Sequence, residues 1–351
     1  MIKIKSFFTK LLQWEHWPTF MFYVPLAPFY IYSTIKARHL ISYLIVNPAI
    51  KYSGNGTESK FETLKLIPEQ YKPLSLLVTE KTSFEETLVK INNNNIEFPL
   101  IAKPDIGFRG YLVKKINSKN ELKIYLDKNK INIIIQELID YPKECGLFYY
   151  RMPDESEGKI TSITLKKFLT VVGDGSSNLS ELILADKRAY LYYSLLQNIH
   201  RKKMQSIPKK DEIIKLSVIG NHSKGTQFIN GNHLISKKLE LMMDQFSKQI
   251  DNWFYGRLDI KYNNFEELIA GENFKILEIN GIISEPTHIY DSENSTYFNA
   301  IKNIKKHWGI IYQIAKKNHE ISKIPYPKII PYVKDMLWLR KYSRKLKKLN
   351  K

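Results

Sequence analysis

Gly256-Arg257-Leu258-Asp259-Ile260-Lys261 and, after a short excursion, Lys275-Ile276-Leu277-Glu278-Ile279-Asn280-Gly281 are the stretches on which the reading of this chain turns. Side chains alternate between the faces of a strand, so Arg257, Asp259 and Lys261 share one face, and Glu278 and Asn280 share one face of the next strand. If the strands pair, three oxygen donors converge. Carboxylate and amide oxygens with no thiolate or ligating histidine beside them suit a hard cation, Mg2+ or Mn2+, which also takes oxygens from a bound polyphosphate. The competing reading is a half-solvated antiparallel hairpin, which shows the same alternation.

The rest of the chain weighs on that choice. Upstream lies Phe98-Pro-Leu-Ile-Ala-Lys103-Pro-Asp-Ile-Gly107-Phe-Arg-Gly110, followed by Tyr111-Leu-Val-Lys-Lys-Ile116. An apolar run ending in lysine, a glycine-spaced turn and a second apolar run predict strand, flexible loop, strand. Glycines let backbone N–H groups approach phosphate oxygens, while Lys103 supplies a point charge. The loop is not a Walker A motif, because it has no Gly-Lys-Ser/Thr ending and leads into a strand. Taken alone, such a turn between strands is usually just a turn. Next, Ile131-Asn-Ile-Ile-Ile-Gln136-Glu137-Leu138-Ile139 predicts a buried strand, with Glu144 a little further on.

In this order, the motifs resemble the ATP-grasp superfamily, particularly its carboxylate-amine ligases such as D-alanine:D-alanine ligase and the ligase module of cyanophycin synthetase. The resemblance spans roughly residues 60 to 320. It implies an α+β fold of two lobes with antiparallel sheets enclosing ATP and Mg2+. It also implies a small-molecule carboxylate and amine joined through an acyl phosphate. Lys103 matches the lysine on the ATP phosphates, and residues 105–110, with Gly107, Arg109 and Gly110, match the phosphate-covering loop. Lys60 resembles the earlier phosphate-contacting lysine. Gln136, Glu137, Leu138 and Ile139 resemble the hinge whose backbone meets adenine, and Glu144 the carboxylate on the ribose. Asp259, Glu278 and Asn280 match the metal ligands, and Arg257 the arginine beside the transferred phosphoryl group, so that Arg257 and Lys103 are the expected catalytic residues.

Two further stretches bear on the subgroup. Val171-Val172-Gly173-Asp174-Gly175-Ser176-Ser177-Asn178-Leu179-Ser180-Glu181-Leu182-Ile183 is similar to a segment of the cyanophycin synthetase group, with Asn178 where threonine is usual. Asn221-His-Ser-Lys224-Gly225-Thr226 resembles a segment that lies near nucleotide and substrate in those enzymes. Read locally, Gly-Asp-Gly is a turn, and Ser177 or Asn178 caps a helix over Leu179 to Tyr193. After Asn280 the chain reads Gly281-Ile-Ile-Ser284-Glu285-Pro286-Thr287-His288-Ile289-Tyr290-Asp291. D-alanine:D-alanine ligase has a Pro-Gly turn and small hydroxyl residues there, so dipeptide specificity does not carry over. Glu285 and His288 are candidates for recognising an amine or polar acceptor, against a merely hydrogen-bonded loop. Arg151 and Lys166 are candidate contacts to an acidic substrate, against plain surface charge.

Composition bounds the organisation. At 351 residues, about two packed lobes are expected, with a cleft between them. The single cysteine, Cys145, excludes an intramolecular disulfide and predicts an inert buried thiol in a reducing compartment. A net charge of +19 is partly a general bias toward Lys, Ile and Asn. It is also concentrated from Lys334 to Lys351, where eight basic residues face one acid, and where Leu339, Tyr342, Leu346 and Leu349 predict an amphipathic helix. That helix either lies on an anionic membrane or packs its stripe on the protein. No recognised nucleic-acid module accompanies the charge.

The aromatic stretch Trp17 to Tyr32 is interrupted by Pro18, Pro25 and Pro28. It is too short to be read as a membrane span and lacks the cleavage pattern of a signal peptide. It is read as a membrane-interface element or as a reduced lobe docked on the rest. The expected division is an aromatic-rich region (1–72), an ATP-grasp domain (73–320, divided near 140) and a basic tail (321–351), in a cytoplasmic protein whose association with the inner face of the membrane is left open between those two readings. Two rival functions stand beside ligation: a grasp-fold phosphotransferase or saccharide-modifying enzyme, and a non-catalytic ATP-binding protein at the membrane. Oligomerisation is left open.

Overall fold

The computed structural model describes residues 14–17, 19–108, 110–217, 220, 225–291 and 293–350. Its strand-forming runs assemble into two antiparallel sheets and a ribbon. β1 (Ser75–Val78), β2 (Leu100–Pro104), β3 (Lys114–Ile116) and β4 (Ile133–Glu137) form a four-stranded sheet in the order β1-β4-β2-β3. Further along, β5 (Lys143–Arg151) is followed by β6 (Gly158–Lys167), and β7 (Thr170–Val172) pairs with β8 (Ile213–Lys215) as the ribbon. β9 (Gln227–Asn230), β10 (Tyr255–Tyr262) and β11 (Phe274–Asn280) complete a five-stranded sheet in the order β11-β10-β5-β6-β9. The fold is thus of the expected α+β class, with antiparallel sheets in two lobes.

The helices are α1 (Thr19–Tyr23), α2 (Ala27–Ala37), α3 (Lys60–Lys65), α4 (Phe84–Asn93), α5 (Lys119–Lys128), α6 (Leu179–Ala185), α7 (Tyr193–Ile199), α8 (Lys237–Ser247), α9 (Phe265–Ala270), α10 (Tyr297–Glu320) and α11 (Ile329–Leu349). Many start on a local signal. Ser59, Ser83, Ser118, Asn178, Ser236, Asn264 and Thr296 each accept a hydrogen bond from the backbone N–H three residues on, satisfying a donor that the first turn leaves free.

Each sheet has one apolar face. Leu76, Val78, Leu100, Ala102, Ile116, Ile133 and Ile135 of the first sheet pack under α4 and α5, and Leu346 of α11 closes the same cluster. In the second sheet Cys145, Leu147, Leu258, Ile260, Ile276 and Ile279 pack against Leu239, Met243 and Phe246 of α8. Ile134 and Leu77, on the other face of the first sheet, join this second cluster, so the two sheets meet there. The five-stranded sheet's opposite face carries polar residues in its middle. Its far end, at Phe148 and Tyr255, is covered by Ile310, Ile311 and Ile314 of α10.

Several boundaries differ from the sequence reading. The stretch from Leu179 to Tyr193 is broken: Asp186 is extended, and its carboxylate accepts from the N–H groups of Arg188 and Ala189, starting a new turn. The strand expected from Tyr111 shortens to Lys114–Ile116, because Gly110 and Leu112 hold left-handed φ values of 70° and 59°. Asn92 and Asn93 form the last residues of α4.

The two termini resolve differently. The tail is the predicted helix, and its Tyr342, Leu346 and Leu349 stripe packs on the first lobe. The aromatic N-terminal stretch is helical despite its prolines because Pro25 and Pro28 fall in the first turns of their helices, where an N–H would have no partner. Phe22 and Leu26 pack on Ile289, Ala300 and Ile304. No helix among the described residues is long and apolar enough to cross a membrane.

Candidate active site

The hairpin β10–β11 sets the site. Asp259 is the direct cross-strand partner of Glu278, and Arg257 that of Asn280, so these four side chains share one face. A bulge makes this possible. The register slips between Asp259 and Ile260, leaving Leu277 without a partner. Phe274, Ile276 and Ile279 are buried in the core, and strict alternation from Ile276 would send Glu278 there too. The extra residue turns Glu278 back to the polar face, as bulges commonly do beside functional sites. Leu277 offers its carbonyl to Lys103 Nζ at 3.3 Å.

The same face continues across the sheet. Glu144, Gly146 and Phe148 of β5 lie opposite Lys261, Asp259 and Arg257, and Thr164 and Ser162 of β6 lie opposite Gly146 and Phe148. Gly146 is the low point in this row. A Cβ there would lie 3.2 Å from Arg257 Cδ and 3.6 Å from Asp259 Oδ1, so the glycine leaves room for the arginine side chain. Arg257 Nε donates to Asp259 Oδ1 at 3.0 Å, and Lys166 Nζ lies 2.5 Å from Glu144 Oε1 and 3.7 Å from Asp259 Oδ1.

Two more lysines arrive from outside the sheet. Lys103 and Gln136 share the face of the first sheet that turns toward the second, and Lys103 Nζ donates to Gln136 Oε1 at 3.0 Å. Lys60 begins α3, and its ammonium pairs with Glu278. Its position is fixed by Asp105 in the glycine loop, whose backbone carbonyl accepts from Lys60 N and whose carboxylate accepts from Ser59 Oγ and Phe61 N. Gly107 lies beside Lys60, a Cβ there falling 3.5 Å from Lys60 Cε. Lys60, Lys103, Lys166 and Arg257 therefore surround the carboxylates of Asp259, Glu278 and Glu144.

The charges shift one another. Burial pushes the Lys103 ammonium down to about 8, with Lys60 adding to the shift and Glu278 and Asp259 opposing it. Burial alone would raise Asp259, but Arg257, Lys166 and Lys60 outweigh it and hold the carboxyl at about 2. Lys166 is likewise disfavoured by burial, yet Asp259 and Glu144 raise it above the usual lysine value. Cys145, on the apolar face, is pushed up to about 12 by burial and is an inert thiol, as expected.

The residues fit a hard cation. Asp259 and Glu278 stand side by side, and the Asn280 side chain next to them has a buried nitrogen with no hydrogen-bond partner. Among the described residues no group of three or more His, Cys, Asp or Glu is arranged to hold a metal, so the third protein ligand would be the Asn280 amide oxygen.

Other expected residues are placed as follows. Glu137 holds β1, its carboxylate accepting from Leu74 N at 3.0 Å. Leu138 and Ile139 begin the crossing to β5, and the Ile139 carbonyl accepts from Lys261 Nζ at 2.8 Å. Glu285 accepts hydrogen bonds from the hydroxyls of Tyr23 and Tyr290, and its backbone carbonyl accepts from Arg257 Nη1 at 3.3 Å. His288 is buried, its Nδ1 is 2.6 Å from Ser162 Oγ, and burial lowers its pKa to about 4. Both side chains of the acceptor loop are thus engaged within the protein. Arg151 is not brought to the site: it follows the parity of the apolar face, and its guanidinium lies over Phe254. Around Gly175, Asp174 accepts from Ser176 N and Ser177 N, and Asn178 and Glu181 form a reciprocal cap, so these polar groups are engaged locally. Arg109, Asn221 and Lys224 lie outside the described residues, whereas Gly110 is described and takes its left-handed turn.

Sequence reading gave Lys166 no more weight than surface charge, and it did not single out Ser162, Thr164, Asp105 or Gly146. The alternation Ser162, Thr164, Lys166 on β6, in phase with Glu144 and Gly146 on β5, is the signal that identifies most of them.

No family model and no curated protein sequence matches the chain. Solved structures that align with it include a bifunctional glutathione synthetase from Pasteurella multocida, at 15% identity and a TM-score of 0.38 over 71% of this chain and 36% of that one. Another is the VanG D-Ala:D-Ser ligase from Enterococcus faecalis, at 14% identity and a TM-score of 0.43 over 76% of this chain and 64% of that one. A third is D-alanine–D-alanine ligase from Bacillus anthracis, at 15% identity and a TM-score of 0.42 over 80% of this chain and 70% of that one. The chain spans less than two thirds of the first two.

Proposed function

We propose that this chain is an ATP-dependent carboxylate-amine ligase of the ATP-grasp type. The observation that carries the reading is the pairing of Asp259 with Glu278, beside Arg257 and Asn280, under two lysines, Lys60 and Lys103, that come from outside the sheet. Such an arrangement suits a metal-bound polyphosphate better than it suits a structural ion-pair network, because four cations crowd three carboxylates in a partly accessible face.

In this reading a substrate carboxylate attacks the terminal phosphate of ATP. The bond to the bridging oxygen breaks, ADP leaves, and an acyl phosphate forms. An amine then attacks the acyl carbon, phosphate departs with the electron pair of the C–O bond, and the amine's proton is released as the amide forms. Asp259, Glu278 and Asn280 would hold Mg2+, which supplies charge neutralisation at the phosphates. Lys60, Lys103 and Arg257 offset the charge that develops on the transferred group, and no side chain acts as nucleophile. Gln136 orients Lys103 through its hydrogen bond. Glu144, which pairs with Lys166, is assigned to the ribose hydroxyls. We place the reaction in the synthesis of an envelope component or a peptide-like metabolite, on the inner side of the membrane.

The experiment is ADP release from Mg2+-ATP, screened against pools of amino acids, short peptides and amino sugars, with mass spectrometry of the product. An amide with equimolar ADP and phosphate is the expected product. A phosphate ester would assign phosphoryl transfer instead, and nucleotide binding without ADP release from any pool would contradict an enzymatic role.

A further inference from the structure

The N-terminal helices contain a surface that the ligase reading does not use. From Thr19 to Ala37 the chain has a single charged side chain, Lys36, and no acid occurs between Glu15 and Glu58. The inner side of this segment is accounted for by Phe22 and Leu26 in their contact with α10. Its outer side is not. Val24, Ile31 and Ile35 recur at helical spacing along one line and are 63%, 56% and 70% exposed, with Met21 and Tyr32 exposed beside them. A solvated helix face with no charge is unusual in a chain whose residues are 25% charged.

The flanks of this stripe are cationic. Lys36 and Arg38 lie at the C-terminal end of α2, and neither has a carboxylate within ion-pair distance among the described residues. Lys305 of α10 places its ammonium 5.5 Å from the centre of the Phe29 ring. Beyond the helix end lies a cavity of about 450 Å3 whose lining includes Lys36, Arg38, His39, Lys316, His319 and Tyr326. Tyr326 stacks against His39 at 4.3 Å and His319 at 4.1 Å, and His39 Nδ1 is buried with no hydrogen-bond partner. Glu320 is the one acid in the lining, and it pairs with Lys316 at 3.8 Å.

We propose that α2 and the short turn before it, Val24–Leu26, dock in the headgroup layer of an anionic bilayer, with Val24, Ile31 and Ile35 at the acyl boundary and the basic cavity receiving a lipid phosphate. The charge pattern selects this occupant. An apolar stripe edged by unpaired cations complements an anionic interface, where aromatic and basic side chains are also favoured. A second copy of the chain would bring the same cations against each other. In addition, α2 has 11 residues and is about 16 Å long, a narrow platform for the roughly 800 Å2 per partner of a stable dimer. The basic tail helix packs its Tyr342, Leu346 and Leu349 stripe on the protein, and its exposed Ile330, Val333, Leu337 and Trp338 are interspersed with charged Lys334, Asp335 and Arg340, unlike the uncharged face before Lys36. The inference stands apart from the ligase reading, and its test does not require turnover.

The test is flotation of the full chain with phosphatidylcholine vesicles, with and without phosphatidylglycerol, alongside sedimentation of the free protein. The wild type is expected to float with the phosphatidylglycerol vesicles and far less with phosphatidylcholine alone. Ile31→Glu combined with Ile35→Glu should lower that partition about tenfold or more, with an unchanged thermal midpoint because both positions are exposed. Lys36→Glu with Arg38→Glu should abolish the preference for the anionic lipid and provides a second arm should the first variant misfold. Absence of wild-type flotation, or flotation that both variants retain, would overturn the proposal. So would a wild-type dimer that the isoleucine variant dissociates, since the face would then be an interface between copies.

Discussion

The two faces of the hairpin β10–β11 share one backbone and obey opposite demands. Leu258, Ile260, Ile276 and Ile279 point to a sealed core, while Arg257, Asp259, Glu278 and Asn280 meet on the other side among cations from three other segments. The apolar face is built for stability, each fully buried aliphatic side chain contributing about 1.5–3 kcal/mol. The polar face concentrates like charges and buried ionic groups, an arrangement that gives little net stability and is better explained by a ligand. The bulge at Leu277 separates the two, since without it the hairpin could not keep Ile276 inside and Glu278 outside.

Mutations should separate the faces. The largest effect is expected from Glu278→Gln or Asp259→Asn, each lowering turnover about a hundredfold to a thousandfold while the chain elutes as folded protein. Steady-state ADP release and size-exclusion chromatography check this, and wild-type rates in either variant would erase the distinction. Leu258→Ala should act in the opposite way, costing about 2–5 kcal/mol of stability in chemical denaturation with kcat of the folded fraction preserved.

The pH dependence sharpens the comparison. Because Lys103 in the folded protein titrates at about 8, below its unfolded value, the unfolded chain binds more protons between these values. Its contribution to stability therefore increases as pH rises from about 8, while the positive charge needed by a polyphosphate is lost over the same range. ATP affinity is expected to weaken as pH rises through about 8, and Lys103→Arg should shift that fall to higher pH. Asp259, held at about 2, stays ionised across the working range and should impose no acid limb there. The smallest effect is expected from Arg151→Ala, which should alter kcat/KM by no more than about twofold, since it lies over Phe254 on the other face.

Much of the five-stranded sheet's polar face was legible in the sequence because alternation has a period of two. Arg257, Asp259, Glu278 and Asn280 could be assigned to faces before any pairing was known, and the short excursion between their strands predicted the hairpin. Lys103 and Gln136 were legible as motif positions, but their mutual hydrogen bond depends on the register of β2 against β4. Lys166 was undervalued because its partners, Glu144 and Asp259, are 22 and 93 residues away in sequence, and nothing local marks the side chain as buried. The break at Asp186 was missed because an aspartate caps a new turn as readily as it decorates a helix surface. The fates of the two amphipathic termini were not legible either. Periodicity identifies an apolar stripe, while only the surrounding fold determines that Leu346 is covered and Ile31 is not.

Isothermal titration of the full chain with a non-hydrolysable ATP analogue, with Mg2+ and then with EDTA, addresses the polar face most directly when repeated on Asp259→Asn. The account predicts saturable binding at one site that depends on Mg2+ and is severely weakened in the variant. Binding of equal strength without the metal and in the variant, or no binding at all, would contradict it.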